Sequence, residues 1–140
     1  MPLKVYEDLS AFKLYLLDVG LLGAMAEINP VQLLLPNDMK ESKGMFTENF
    51  VCTQLVTQFN SSLFYYSKEN STLEIDFFVQ KETQIVPIEV KAEINVKSKS
   101  LSTILQNNEE MFGVRFSMNP YRQQERMVNI PLYCAGVYFK

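Results

Sequence analysis

The stretch Leu73-Glu74-Ile75-Asp76-Phe77-Phe78-Val79-Gln80, followed after a short turn by Gln84-Ile85-Val86-Pro87-Ile88-Glu89-Val90-Lys91-Ala92, carries most of the information about the fold. Both runs are rich in β-branched and aromatic residues and alternate with period two, as strands with one apolar face do. In the first, Leu73, Ile75, Phe77 and Val79 are expected on one face, and Glu74, Asp76, Phe78 and Gln80 on the other. In the second, Val86, Ile88 and Val90 share one face, and Pro87, Glu89 and Lys91 the opposite one. A hairpin turn symmetric about Glu82 and Thr83 makes paired positions sum to 165. Asp76 is then opposite Glu89, and Glu74 opposite Lys91.

Directly opposed like charges destabilise a strand pair unless something bridges them. The expected bridge is a divalent cation. Asp76, Glu89, the main-chain carbonyl of Val90 and water make a hard oxygen site suited to Mg²⁺ or Mn²⁺. Lys91 shares the Glu89 face and cannot bind the cation itself. Its expected tasks are to orient or help deprotonate a water and to stabilise negative charge on a phosphoryl group.

Working outward from this hairpin, residues 44–60 contain no internal Gly or Pro and read as a helix stopped by Asn60-Ser61-Ser62. On its wheel Met45, Cys52, Leu55 and Phe59 fall within about 60° of Glu48. Glu48 therefore sits in an apolar face, where a carboxylate must be paired, protonated or bound to a cation. It is the expected third acid of the site. Phe46 and Phe50 lie on the far side, so the helix should be sandwiched, or offer a partner surface if residues 1–40 do not cover it.

The remaining elements follow from the same patterns. A strand is expected at Leu63–Ser67, a helix from about Ser100 to Glu110, and strands at Val114–Met118 and Ile130–Ala135. Residues 1–40 read as a helical N-terminal segment, with Ser10 capping a helix through Phe12, Tyr15, Leu16 and Val19, loosened at Gly20 and Gly23. A short apolar turn, Val31 to Leu35, precedes a boundary at Pro36-Asn37-Asp38. The whole chain, residues 1–140, is thus expected to form one α/β domain, with an αβββαβ core over 44–140 and a closing strand.

Composition excludes several chemistries. The chain has no His, which removes His-dependent triads and makes zinc sites very unlikely. Cys52 and Cys134 stand singly in apolar patterns, as small buried hydrophobes do. No apolar run is long enough to span a bilayer and no secretory leader is evident, so a cytoplasmic protein without membrane contact is expected. The net charge of −3 argues against a broad basic surface, though a bound cation would offset the site carboxylates. Lys97, Lys99 and Ser100, at the start of the later helix, are candidate contacts to nucleic-acid phosphates.

The Asp76 strand and the run Glu89-Val90-Lys91 together resemble the signature of PD-(D/E)XK nucleases, in which an Asp and a Glu-x-Lys hold metal and activate water. With Leu14 to Leu22, Glu48-Asn49-Phe50 and Asn129-Ile130-Pro131-Leu132-Tyr133, the chain is similar over nearly its whole length to the uncharacterised C-terminal domain that follows the ATPase module in a group of prokaryotic AAA+ proteins. The resemblance implies a restriction-endonuclease-like fold, a mixed sheet flanked by helices. It assigns the metal and catalytic roles to Glu48, Asp76, Glu89 and Lys91. One departure is that Glu74 and Ile75, rather than a Pro, precede Asp76. No Walker-type phosphate loop is present, and the opening Met1-Pro2 is expected to be a cut within a longer protein. The activity implied is metal-dependent phosphodiester hydrolysis in DNA or RNA beside an ATPase module. The alternative is a nuclease fold kept as a docking or regulatory domain of that ATPase.

Overall fold

The computed structural model describes residues 2–29, 31, 40–59, 62–68, 70–94 and 98–140. Its regular elements are α1 (Val19–Met25), α2 (Lys40–Val56), β1 (Phe64–Ser67), β2 (Glu74–Lys81), β3 (Gln84–Lys91), α3 (Lys99–Asn107), β4 (Gly113–Ser117), β5 (Arg122–Gln123) and β6 (Met127–Pro131). Short 3-10 turns lie at Leu3–Tyr6 and Leu132–Cys134. The six strands form one mixed sheet in the order β1-β2-β3-β4-β6-β5. β1 with β2 and β2 with β3 pair antiparallel, β3, β4 and β6 are mutually parallel, and β5 returns antiparallel to β6 at the edge. The α/β architecture and the order α2-β1-β2-β3-α3-β4 agree with the expected αβββαβ core.

The hairpin register agrees as well. Phe77 pairs with Ile88, Val79 with Val86 and Lys81 with Gln84, each sum being 165. Glu82 takes a positive φ of 56° in the two-residue turn. Pro87 is tolerated in a central strand because it lies opposite Phe78, one residue before pairing with β4 starts at Ile88↔Val114.

The sheet buries both faces. Phe77 and Val79 from β2, Ile88 and Val90 from β3, Val114 and Phe116 from β4, and Val128 and Ile130 from β6 pack against Val51, Cys52 and Leu55 of α2. Ile75 and Phe78 pack on the other side against Leu101 and Leu105 of α3. Ile75 and Phe78 are an odd number of residues apart, which strict alternation forbids. The register between β1 and β2 slips between Phe64↔Phe78 and Tyr66↔Ile75, so β2 carries one extra residue there. This β-bulge corrects the expected facing of β2: Ile75 joins Phe78 on the α3 side, and Asp76 is left with Phe77 on the α2 side.

The N-terminal expectation is also corrected. No helix runs from Ser10 to Val19. Residues 11–16 carry no regular structure, Ser10 instead bonds Asp8, and the helix begins at Val19, where Asp18 Oδ1 accepts from Leu21 N at 2.8 Å. Asp18 is the stronger stop and start signal because its side chain satisfies a free N–H of the first turn. Gly20 and Gly23 lie inside α1, and Gly23 lets it approach Phe46, whose ring would stand 3.4 Å from an added Cβ. Phe46 is thereby covered in part, and Phe50 packs against the α2-side core.

Smaller shifts occur elsewhere. α2 spans 40–56 rather than 44–60, and the last central strand ends at Pro131, after which residues 132–134 turn into a 3-10 helix instead of continuing to Ala135. Pro131 removes a ladder donor at that point. Apart from Val31, the expected turn at 31–35 and the boundary at 36–38 lie outside the described residues. Cys52 is buried as expected, whereas Cys134 is only partly so. No helix of the described residues is long and apolar enough to cross a membrane.

Candidate functional site

The β2–β3 ladder stops at Phe77↔Ile88, one pair short of Asp76 and Glu89. Beyond it the Val90 N–H donates to the Asp76 carboxylate, Oδ2, at 2.6 Å. The bulge turns the Asp76 side chain into this gap, where it substitutes for a main-chain acceptor. Burial pushes the Asp76 carboxyl up to about 7. The Val90 N–H pulls it down, Glu48 raises it, and Lys91 and Lys13 lower it. Asp76 therefore carries a proton for part of the time near neutrality.

Glu48 projects from α2 toward the sheet with about a quarter of its side chain exposed. Its Oε1 accepts from Lys13 Nζ at 3.1 Å and from the Tyr15 hydroxyl in a short hydrogen bond. Lys13 Nζ also reaches Glu74 Oε1 at 2.8 Å and lies 5.2 Å from the centre of the Tyr65 ring. Burial works against the Lys13 charge, but its hydrogen bonds to Glu74 and Glu48 and their charges outweigh this and hold its pKa above the ordinary value. Burial and the bond to Glu48 likewise raise the Tyr15 phenol. Cys52 is pushed up to about 11 by burial and by Glu48.

Glu89 lies on the opposite face from Asp76, in parallel register with Arg115 of β4. It is 4% exposed; Oε1 pairs with Lys91 Nζ at 3.2 Å, and Oε2 is buried with no hydrogen-bond partner. Arg115 is also buried. Its Nε donates to Asn129 Oδ1 at 3.0 Å and its Nη1 to Ser98 Oγ at 2.8 Å. Burial lowers the Arg115 pKa while Glu89 opposes that shift. Ser117 Oγ donates to the same Asn129 oxygen, and Asn129 Nδ2 donates to the Asn119 and Pro120 carbonyls. This network ties the start of α3 and the 119–120 loop to the sheet beside Glu89.

Asp76, Glu89 and Lys91 thus meet at one end of the β2–β3 pair, but the three carboxylates do not gather. Among the described residues no group of three His, Cys, Asp or Glu side chains is placed to hold a metal ion. The expected convergence of Glu48 with Asp76 and Glu89 is corrected for two physical reasons: the bulge turns Asp76 away from the Glu89 face, and Lys13 and Tyr15 engage Glu48. Ser100 faces inward, its Oγ accepting from Glu74 N and donating to Thr72 O, each at 3.3 Å, which fastens α3 to β2. Lys99 is exposed at the helix start, and Lys97 lies outside the described residues.

Sequence reasoning passed over Lys13, Tyr15 and Arg115, and gave Asn49 no defined task. Asn49 is 2% exposed; its Oδ1 accepts from Leu16 N at 2.8 Å and its Nδ2 donates to Leu16 O at 2.9 Å. One side chain thereby satisfies both main-chain groups of Leu16, as a neighbouring strand would. The available signal was a lone Lys13 in the apolar run Phe12-Lys13-Leu14-Tyr15-Leu16-Leu17. Replacing Asn49 by Ala is expected to cost about 2 kcal/mol, the penalty for orphaning buried polar groups. Urea unfolding measures that loss, and limited proteolysis after Lys13 should accelerate with it.

Residues 43–135, about two thirds of the chain, match the family described as a domain of unknown function (DUF4143). The chain belongs to that family. Neither the search of curated proteins nor that of solved structures found a match.

Proposed function

We propose that this chain, as a member of that family, is a nuclease-like domain of the PD-(D/E)XK type that hydrolyses phosphodiester bonds in DNA or RNA with Mg²⁺ or Mn²⁺. The observation that carries the reading is Glu89 Oε2, a carboxyl oxygen buried without a hydrogen-bond partner at the end of β3, with Lys91 on the same strand. Such an oxygen is stable only when protonated or set against a cation. Asp76, Glu89 and the Val90 carbonyl are hard oxygens of the kind Mg²⁺ takes, but Asp76 and Glu89 lie on opposite faces of the sheet and among the described residues no three such side chains are placed to hold an ion, so the reading requires Glu89 to take the cation with water and the main chain. A cation held there would supply Lewis acidity and a more acidic bound water. Lys91 would face the phosphoryl group and stabilise its developing charge. Arg115, in register with Glu89 on β4, would set its guanidinium charge beside that carboxylate, and the exposed Lys99 would offer a phosphate contact.

The family is commonly found after AAA ATPase modules, which supports an ATPase as the neighbouring partner. A second reading, a docking or regulatory domain of that ATPase, is favoured by one observation. Phe12, Leu14 and Leu17 point outward with 72%, 86% and 96% exposure, an apolar row on a charged domain. This row, rather than the partly covered Phe46 and Phe50, would be its contact surface.

Calorimetry with Mn²⁺ and a plasmid-nicking assay on one preparation separate the two. The nuclease reading expects Mn²⁺ binding that Glu89→Gln weakens at least tenfold, together with Mn²⁺-dependent nicking. No binding and no cleavage with any divalent metal would leave the docking reading standing.

A further inference from the structure

A cavity of about 770 Å³ lies between the N-terminal segment 3–15 and the outermost strand, β1, with Asp76 in its lining. That volume and a mostly apolar wall with a few polar groups are those of a small-molecule site. Aromatic side chains line it from both sides, among them Tyr65 and Tyr66 of β1 and Phe12, which is 72% exposed at the rim. The charged part of the lining is unbalanced: Glu7, Asp8 and Asp76 stand against one cation, Lys13. Lys13 is itself engaged by two other acids, Glu48 and Glu74. No ion pair among the described residues reaches Asp76, whose Oδ2 accepts from the neutral Val90 N–H. The Lys13 ammonium lies 5.2 Å from the centre of the Tyr65 ring, so one aromatic face of this wall already carries a positive charge.

We infer that this cavity is a binding site for a small amphiphilic organic cation, an ammonium or amidinium on an aromatic body, with the charge received by Asp76 and the body held against Phe12, Tyr65 and Tyr66. One carboxylate and a set of aromatic faces suffice to hold such a group; no gathering of oxygens is needed. A neutral ligand would cover Asp76 without giving its charge a partner, which costs free energy in an apolar wall. An anionic ligand would add a like charge to Glu7, Asp8 and Asp76. A cation both pairs with Asp76 and brings the lining close to neutrality. The aromatic body completes the match, since offset or edge-to-face packing on Phe12 and the two tyrosines removes apolar surface from water.

The test is a charge series on one aromatic body, titrated into the full chain at pH 8 in chelator and followed by amide chemical shifts: 2-naphthylmethylammonium, the neutral 2-naphthylmethanol and the anionic 2-naphthylacetate. The ammonium should bind about tenfold tighter than the alcohol, the scale of one hydrogen bond to a charged group, and the carboxylate should bind weakest. The Val90 amide, which donates to Asp76, should shift with the ammonium and much less with the alcohol. Asp76→Asn should bring the ammonium and the alcohol within about twofold of each other, whereas Phe12→Ala should weaken both by about the same factor, roughly fivefold, through lost aromatic contact. Equal affinity across the series, tightest binding of the anion, or no binding of any member overturns the inference. A preference for the ammonium that survives in Asp76→Asn, or a Val90 amide that does not move, overturns the assignment of Asp76, and affinities unaltered in Phe12→Ala overturn the placement of the body. If either variant does not fold, the charge series and the Val90 shift on the unaltered protein decide the matter.

Discussion

Replacing Asp76 by Asn is expected to stabilise the metal-free protein at pH 8 by about 4 kcal/mol and to leave its stability at pH 4 nearly unchanged. Burial holds the carboxyl at about 7 in the folded protein against an ordinary 3.8. Each unit of difference corresponds to about 1.4 kcal/mol. The sign is opposite to that of a salt-bridged acid. Below the unfolded value both states hold the proton and Asp76 contributes nothing. Between about 4 and 7 the unfolded chain has released its proton while the folded one keeps it, so stability falls as pH rises. Above about 7 both are ionised and the full penalty persists.

Asn keeps an oxygen to accept from Val90 N–H and carries no charge, so it escapes this penalty. Urea unfolding in chelator at pH 4 and pH 8 measures the difference. Parallel pH profiles for the two proteins would show that Asp76 is not the strained acid. Under the proposed function, millimolar Mn²⁺ should raise the unaltered protein's melting temperature at pH 8 and leave Asp76→Asn unmoved, since only the carboxylate rewards cation binding in the folded state.

Lys91→Ala is expected to lower metal-dependent phosphodiester cleavage by at least about 100-fold, the effect of deleting one charge-stabilising group from a preorganised site. Lys91 suits that task because its ammonium lies 3.2 Å from Glu89 yet 38% of its side chain remains exposed, so a substrate phosphate can reach it. An ammonium cannot bind a cation, and Mn²⁺ affinity should therefore change by no more than a few fold. The comparison belongs at pH 8, because Lys91 helps lower the Asp76 carboxyl and its loss would leave that acid more protonated near neutrality. Single-turnover nicking and calorimetry on the same protein provide both numbers. Cleavage that persists undiminished in Lys91→Ala would assign the activity to a different site.

The sequence determined the parts of this protein that depend on local periodicity. Period-two alternation and a two-residue turn gave the β2–β3 register, and with it the closeness of Asp76 to the Glu89-Val90-Lys91 strand. The helical wheel placed Glu48 on the sheet-facing side of α2. Neither pattern could show the bulge at Asp76. A bulge is an agreement between two strands: the extra residue is visible only when Tyr66 and Phe64 of β1 are laid against Ile75 and Phe78. That single slip decides which face Asp76 joins.

Tertiary structure likewise decided the partners of the acids. Lys13 meets Glu48 and Glu74 across 35 and 61 residues of chain, and Asn49 meets Leu16 across 33. Arg115 reaches Glu89 only through the parallel pairing of β3 with β4. The expected Ser10 helix failed for the same reason. Its side-chain spacing was compatible with a helix, but extended chain lets Lys13 and Tyr15 both reach Glu48 and lets Asn49 take both polar groups of Leu16. Where a residue's free energy is set by neighbours within a turn or a strand, the sequence suffices; where it is set by a charge or an amide brought from tens of residues away, only the packed structure can decide.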